Sequence, residues 1–511
     1  MLAKTYSAAL RGVEPFTVEI EINASEQGER CAVVMVGLPD AAVRESRERV
    51  HSALTSSGYM HPFGTTTVNL APADVKKEGS HFDLPIAIGM MSAINQLGNA
   101  NLNHSMIVGE LALDGGVRPL RGALALALHA REAGISTLIV PAANAAEAAM
   151  VSGINVYGVA HLTDAVRHLK GESPLSPTVV DLRAYFAKGI DDVPDFADIK
   201  GQALARRAVE VAAAGGHNIL LIGPPGTGKS MIAKRIPGIL PHMTLDEALS
   251  TTKLHSIAGK LENDVPLLTL RPFRSPHHTI SDAGLLGGQS NPQPGEVSLA
   301  HNGVLFLDEM PEFKRNVLEV LRQPLEDGAV TISRAAGSFT FPARFQLVAA
   351  MNPCPCGHHG STVRQCRCSS PQIQRYRSRL SGPLLDRIDM HIEVGTLSEQ
   401  ELMSRPTGET SEVMRERVKR CREVQVRRFA DSATNCNAQM SSSELQENCQ
   451  LDPNGEQVLR IAINELNLSA RAYDRILRVA RTLADLESSK AITLGHVSEA
   501  IQYRSLDRQL W

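Results

Sequence analysis

Asn218-Ile219-Leu220-Leu221-Ile222-Gly223-Pro224-Pro225-Gly226-Thr227-Gly228-Lys229-Ser230 is the stretch on which the reading of this chain turns. A short apolar run with the length of a buried parallel strand ends in a glycine-rich loop, and helix-forming residues follow from Met231 to Arg235. Residues 223–230 match G-x-x-x-x-G-K-[ST] in the strand–loop–helix setting the pattern needs. Gly223, Pro224, Pro225, Gly226, Thr227 and Gly228 form the expected nucleotide-binding loop, whose glycines let backbone N–H groups turn inward around a di- or triphosphate. The dipole of the following helix adds to that attraction. Lys229 then sits on the β/γ-phosphates, and the Ser230 hydroxyl is a Mg²⁺ ligand. The bland alternative is a glycine-rich turn that binds nothing, and both flanks weigh against it. A nucleoside triphosphate, ATP, with Mg²⁺ is the expected ligand.

Working outward, 511 residues exceed one hydrophobic core, and roughly two to four domains are expected. A hydrophobic content of 43% with 21% charged residues is that of a soluble protein. The apolar stretch 123–130 is too short to span a bilayer and is bounded by Arg121 and Arg131. No charged-then-apolar leader opens the chain, so a cytoplasmic protein without a membrane partner is expected. In that compartment thiols stay reduced, and four of the eight cysteines crowd into residues 354–368, a metal-binding pattern. The net charge of −3 excludes a basic DNA-coating protein; a nucleic acid would need positive charge gathered locally, as in a channel. Aromatics are only 4%, with the single Trp511, so phosphate contacts rather than base stacking would dominate.

Residues 1–170 read as a mixed α/β domain. Strands are expected at Thr17–Ile22, Cys31–Val36, Thr65–Leu70 and Thr137–Val140, and helices at Ala41–Leu54 and Arg121–Ala133. Val36-Gly37-Leu38-Pro39-Asp40, Lys76-Lys77-Glu78-Gly79-Ser80 before Asp83-Leu84-Pro85, and Gly109-Glu110-Leu111 running on to Pro119 resemble the Lon-protease-type, ribosomal-S5-like domain. That family uses a serine–lysine dyad. The resemblance puts His81 where the serine would be and Leu124 where the lysine would be, with Ser80 one position off and Lys77 too close in sequence. Without a lysine base a serine hydroxyl has no activation, so a non-proteolytic scaffold or DNA-facing module is expected. Residues 171–197, with Pro174, Pro177, Pro194 and Asp191-Asp192, read as a linker, and Ala203–Ala214 as a helix leading to the phosphate-loop strand.

Gly303-Val304-Leu305-Phe306-Leu307-Asp308-Glu309 is the second nucleotide signature. Asp308 is placed to hold Mg²⁺, and Glu309 to polarise the attacking water as general base. Lys229 and Asp308 lie 79 residues apart, more than one helix and one strand require. An insert, most simply a surface hairpin, is expected from Arg271-Pro272-Phe273-Arg274-Ser275-Pro276-His277-His278 and the stretch 284–295; a structural role for the two histidines outweighs a ligand role. Val330–Thr340 reads as a further hairpin with Arg334 near its tip, and Leu347–Met351 as a strand ending in Asn352. Asn352 resembles the sensor-1 residue of AAA+ ATPases, Arg387 in Ser381-Gly382-Pro383-Leu384-Leu385-Asp386-Arg387-Ile388-Asp389 resembles an arginine finger, and Arg471 in Leu468-Ser469-Ala470-Arg471 resembles the sensor-2 arginine.

Residues 198–508 together resemble the helix-2-insert branch of AAA+ proteins, which includes Mg-chelatase ATPase subunits and the MCM replicative helicases. With the Lon-like domain, Arg271–His278 and residues 294–303 in that order, the whole chain is similar to the ComM/YifB family. The resemblance implies a Lon-like domain (1–170), a linker (171–197), an α/β AAA+ P-loop core of parallel sheet with helices on both faces (198–396) and a helical lid (397–511). It implies a homohexameric, ATP-driven DNA helicase that promotes branch migration of single-stranded and branched DNA in natural transformation, in company with recombination proteins. Composition and spacing alone stop at a ring-forming ATPase.

Cys354-Pro355-Cys356 and Cys366-Arg367-Cys368 directly follow Asn352. Four thiolates on one loop suit a structural, tetrahedral Zn²⁺, with His358 or His359 able to replace one thiol and free cysteines as the alternative. Arg415–Arg428 is a basic stretch interleaved with Glu416 and Glu423, expected as a solvated helix face before a DNA contact, and residues 431–450 read as a loop. Three rivals stand beside the helicase: a Mg-chelatase-type remodeller of a protein partner, a Lon-like protease and an ATP-gated clamp. Hydrolysis is expected to move the hairpins at 281–295 and 330–340 against the DNA backbone, with Arg334 in contact with it.

Overall fold

The alternation at Thr17–Ile22 belongs to a longer strand, Glu14–Ala24, which buries Val18, Ile20, Ile22 and Ala24 on one face. In the computed structural model this strand sits inside a seven-stranded sheet. The residues described are all except 1, 26–31, 99, 188–192, 263–264, 289–291, 335–336, 362–363, 404–407, 467 and 505–511. The chain divides into two units, residues 1–188 with 245–269, and residues 189–244 with 270–511.

In the first unit the sheet order is Ala32–Val36, Thr65–Ala71, Glu14–Ala24, Leu2–Arg11, Ser105–Ile107, Thr137–Pro141 and Asn155–Val159. The hairpin and its Thr65–Ala71 neighbour are antiparallel, and the remaining pairs are parallel. Cys31 lies outside the described residues. The helix Asp83–Ala93 packs on the sheet so closely that a Cβ on Gly89 would come 2.4 Å from Ile22 Cδ1. Helices Ala41–Ser56 and Ala123–Glu132 stand where the sequence predicts them. Leu124 is fully buried and donates its N–H to Glu147 at 2.9 Å. The Ser80 hydroxyl donates to the Glu110 carboxylate, and the buried Lys77 ammonium donates to the Pro72 carbonyl.

The insert between Lys229 and Asp308 is more than a hairpin. Its first part is a helix, Leu245–Ile257, that folds with the N-terminal unit. Ser256 on that helix accepts from Gly122 N–H at 2.9 Å and donates to the buried Glu147 carboxylate. Ala248, Leu254 and Ile257 are buried with it.

In the second unit five parallel strands run in the order Phe273–Arg274, Val304–Leu307, Gln346–Met351, Ile219–Ile222 and Met390–Glu393. Ile219–Ile222, Val304–Leu307 and Leu347–Met351 are unbroken apolar runs because both faces are covered. Helices Ala203–Gly215 and Lys229–Ile239 flank the phosphate-loop strand. The C-terminal helices Ser411–Arg428 and Ala470–Leu486 enter the same core, with Val418, Cys421, Ile476 and Leu483 joining Val209, Ile219 and Ile392 in one cluster. Upstream, Phe196 is fully buried in this core, while Thr178 donates its N–H to Val156 at the edge of the first unit's sheet. Asp191 and Asp192 lie outside the described residues, as does Trp511.

Two expectations for the C-terminal part are corrected. The basic helix is not simply a solvated face: Arg417 pairs with Glu210 at 2.5 Å, Arg428 pairs with Asp485 at 2.6 Å, and Arg415 and Arg422 donate to the carbonyls of Gly238 and Ala213. Lys419, Arg420 and Arg427 are the exposed cations of that helix. Within 431–450 a helix, Ser442–Asn448, forms because Ser441 and Glu444 make a reciprocal capping box. Among the described residues no helix is long and apolar enough to cross a membrane.

Candidate nucleotide site

The parallel strands deliver their carboxyl ends to one edge, where open α/β sheets bind ligands. Ile222 pairs with Met351, so Gly223 and Asn352 emerge side by side; Leu307 pairs with Ala349, bringing Asp308 to the same edge. Gly226 and Gly228 have φ of +80° and +89°, and a Cβ at either would meet nothing within 4 Å. The loop is thus an open cradle of the kind a polyphosphate fills. At Gly223, by contrast, a Cβ would lie 2.1 Å from the Val394 carbonyl oxygen, so this glycine lets the loop start against the neighbouring strand's end.

Lys229 is 8% exposed, and its ammonium donates to the carbonyls of Gly223 (2.6 Å) and Pro224 (2.8 Å) and to Asn352 Oδ1 (3.3 Å). Burial pushes its pKa down, and Asp308 and Glu309 pull against that shift. Ser230 Oγ donates to Asp308 Oδ2 at 2.6 Å, so a hydroxyl and a carboxylate converge as a hard-oxygen pair suited to Mg²⁺. Glu309 adopts a left-handed backbone (φ +48°), uncommon for a residue with a side chain, and its carboxylate is exposed. The site therefore unites Lys229, Ser230, Asp308, Glu309 and Asn352.

His278 also reaches this site: its Nδ1 lies 3.9 Å from Glu309 Oε2, and its ring lies against His277, with centroids 4.1 Å apart. No local pattern announced that contact; the His277-His278 pair marked the segment without showing its target. His277 itself turns to the Thr279 hydroxyl at 2.9 Å.

Arg387 and Arg471 are not part of this cluster. Arg387 donates to the Pro383 carbonyl at 2.6 Å and pairs with Glu326, while its own carbonyl accepts from Asn218 Nδ2. Asn218 precedes the phosphate-loop strand and Gly223 follows it, which separates the two ends by about 16 Å along the strand. Arg471, largely exposed, lies 3.4 Å from Asp386, at the same amino-terminal edge as Arg387. Below them Arg475 pairs with the buried Asp389, which also accepts from Asn218 N–H at 2.8 Å. Burial opposes ionisation of Asp389, but Arg475, His217 and that N–H outweigh it and hold the carboxyl well below its usual range. These groups line a polar cavity of about 550 Å³ that also includes Arg344 and Arg478.

Cys354, Cys356, Cys366 and Cys368 bring their sulfurs within 4.8 Å of one another. Three of the separations are 3.4, 3.6 and 3.7 Å. A tetrahedron of Zn–S bonds of about 2.3 Å needs sulfurs about 3.8 Å apart, so the thiols fit that ion. Backbone N–H groups of Arg367 and His358 favour the thiolate of Cys356 and bring its pKa to about 6. His359 contributes its N–H to Cys354 Sγ at 3.3 Å rather than a ring nitrogen.

Arg334 is exposed at the end of Ala329–Arg334, which pairs with Gly337–Pro342 while Val330, Ile332, Phe339 and Phe341 face inward; the tip, 335–336, lies outside the described residues. The insert does form a short hairpin, Gly287–Gly288 with Gln293–Pro294, and a Cβ on Gly288 would lie 3.4 Å from the Arg334 guanidinium. The two hairpins are therefore neighbours.

Residues 195–402 match the family described as magnesium chelatase, subunit ChlI; residues 18–144 match subunit ChlI of Mg-chelatase, and 408–504 its C-terminal part. The chain is 46% identical to competence protein ComM of Haemophilus influenzae, over all of this chain and 98% of that protein. It is 42% identical to the protein YifB of Escherichia coli, over all of this chain and 98% of that one. A magnesium-chelatase subunit ChlI of Cyanophora paradoxa is 22% identical over 55% of this chain and 80% of its own length.

Proposed function

Because the chain belongs to the ComM/YifB family, whose ATPase part is an AAA+ domain of Mg-chelatase type, we propose that it is an ATP-driven ring motor acting on DNA. The reading extends to branch migration that integrates single-stranded DNA during natural transformation and recombination; the name of the Haemophilus relative supports that direction. One observation carries the ring. Lys229, Ser230, Asp308, Glu309 and Asn352 lie at the carboxyl edge of the strands, whereas Arg387 and Arg471 lie together at the amino edge. A second copy of the chain that presents its Arg387–Arg471 edge completes the site, and closure of that head-to-tail contact gives the expected homohexamer.

In this reading the glycine-rich loop and Lys229 hold the polyphosphate, and Ser230 and Asp308 would hold a Mg²⁺ ion, whose charge would neutralise that of the phosphates. Asn352 orients the attacking water, Glu309 takes its proton, and Arg387 and Arg471 of the neighbouring copy face the developing charge. The four cysteines would hold a structural Zn²⁺, since four thiolates leave no open position for chemistry. Strand displacement from forked or three-stranded DNA tests the motor. Wild type is expected to displace with ATP, Glu309→Gln to bind ATP without displacing, and a mixture of Lys229→Ala with Arg387→Ala to regain ATPase activity at mixed interfaces. The ChlI matches favour one second reading, a remodeller of a protein partner; ATPase activity indifferent to DNA would select it.

A further inference from the structure

We infer that the four-cysteine loop is a metal-set clamp on the phosphate loop: the loaded site fixes Gly357 against Pro225 and steadies Asn352, so that metal occupancy governs nucleotide affinity. The inference rests on the zinc reading above and deepens it. The cysteine loop begins two residues after Asn352, and Asn352 Oδ1 accepts from Lys229. Pro353 and Cys354 between them are buried, and the Pro353 carbonyl accepts from Arg377 at 3.4 Å.

Three residues on, the loop returns to the nucleotide site. Gly357 is buried with φ +81°, and a Cβ there would stand 2.6 Å from Pro225 Cδ and 3.2 Å from its Cγ. Pro225 is a rigid member of the phosphate loop, and Gly357 closes off movement of its ring toward the cysteine loop. Both strand ends that cradle the nucleotide are thus touched by one short loop.

That loop has little of its own to hold it. Among its described residues only Cys354 and Gly357 are buried. Its sulfurs are met by backbone N–H groups, of His359 at 3.3 Å and Cys368 at 3.4 Å besides those of Arg367 and His358 on Cys356, and N–H bonds to sulfur are weak. A cross-link through Cys354, Cys356, Cys366 and Cys368 supplies the missing order, as metals do in segments too small for a core. Groups that position a metal's own ligands commonly change metal affinity or activity by about 10–100-fold.

Two glycines of the loop give a matched pair of variants. Gly360 has φ +79°, close to that of Gly357, but a Cβ there would meet nothing within 4 Å. Gly357→Ala and Gly360→Ala therefore carry the same backbone strain, and only the first drives a methyl into Pro225. In the full-length protein, zinc would be measured by atomic absorption and ADP affinity by titration calorimetry. Gly360→Ala is expected to bind ADP like wild type, and Gly357→Ala about tenfold more weakly with its zinc retained. Cys366→Ser, which removes a sulfur hydrogen-bonded to Cys354, Cys356 and the Cys368 N–H, is expected to lose zinc and ADP affinity together. Equal ADP affinity for the two alanine variants, or zinc lost from Cys366→Ser with ADP affinity intact, overturns the clamp and leaves the zinc reading standing. Wild type without any bound metal removes the zinc reading and the clamp with it.

Discussion

Burial is the largest influence on His81, outweighing the Ala8 carbonyl, Asp40 and Glu110, and it brings the imidazole down to about 4. A base whose native pKa is depressed binds fewer protons folded than unfolded, so its contribution to stability is full above the ordinary value of about 6.5. It is lost as pH falls from there toward 4. Between pH 7.5 and 4.5 wild type is expected to lose about 2 kcal/mol relative to His81→Gln, which keeps a donor for Ala8; urea midpoints at the two pH values check it. At this scale the phosphate-loop residues were legible because their chemistry is local: Lys229 and Ser230 are defined by neighbours in sequence, and the loop brings its own setting. The pairing of Arg471 with Asp386, and of Arg475 with Asp389, joins positions 85 and 86 residues apart and needed the fold. Leu124 illustrates the intermediate case, since a resemblance marked the position and burial shows what occupies it.

Elements with a strong period were the readable ones. The stretch Val330–Thr340, read as a hairpin with Arg334 near its tip, forms one over 329–342; Thr331, Ser333, Ser338 and Thr340 make its outward row, and Arg334, on the face of Val330 and Ile332, is exposed at the strand end. If that hairpin touches DNA as proposed, Arg334→Ala is expected to weaken binding alike for all sequences and to lower the slope of log affinity against log salt by about one. Fluorescence anisotropy across a salt series reads both, and an unchanged slope removes Arg334 from the contact. The helix Ser442–Asn448 was missed because its polar composition hid a capping box, Ser441 with Glu444. The basic helix Ser411–Arg428 was misread for the opposite reason: charge on the page looks solvated, yet Arg417 and Arg428 reach acceptors on other helices, Glu210 and Asp485.

For the molecule as a whole, the division of the chain is not the one its order suggests. Residues 245–269 leave the ATPase unit, fold with residues 1–188 and return, and Pro241 and Arg271 on either side lie 2.8 Å apart through the Pro241 carbonyl. The mostly exposed stretch 171–180, outside helix and strand, invites a protease. A cut there is expected to give two bands on a denaturing gel and a single peak on gel filtration, because the second fragment still carries a helix of the first unit; two native peaks would refute it. The excursion also sets an order of manufacture. A ribosome adding about 5–20 residues per second needs roughly 4–16 seconds to pass from residue 188 to residue 269. During that interval the N-terminal unit waits with the bed of its last helix uncovered, and the strand Ile219–Ile222 and the glycine-rich loop after it are made before that unit is complete.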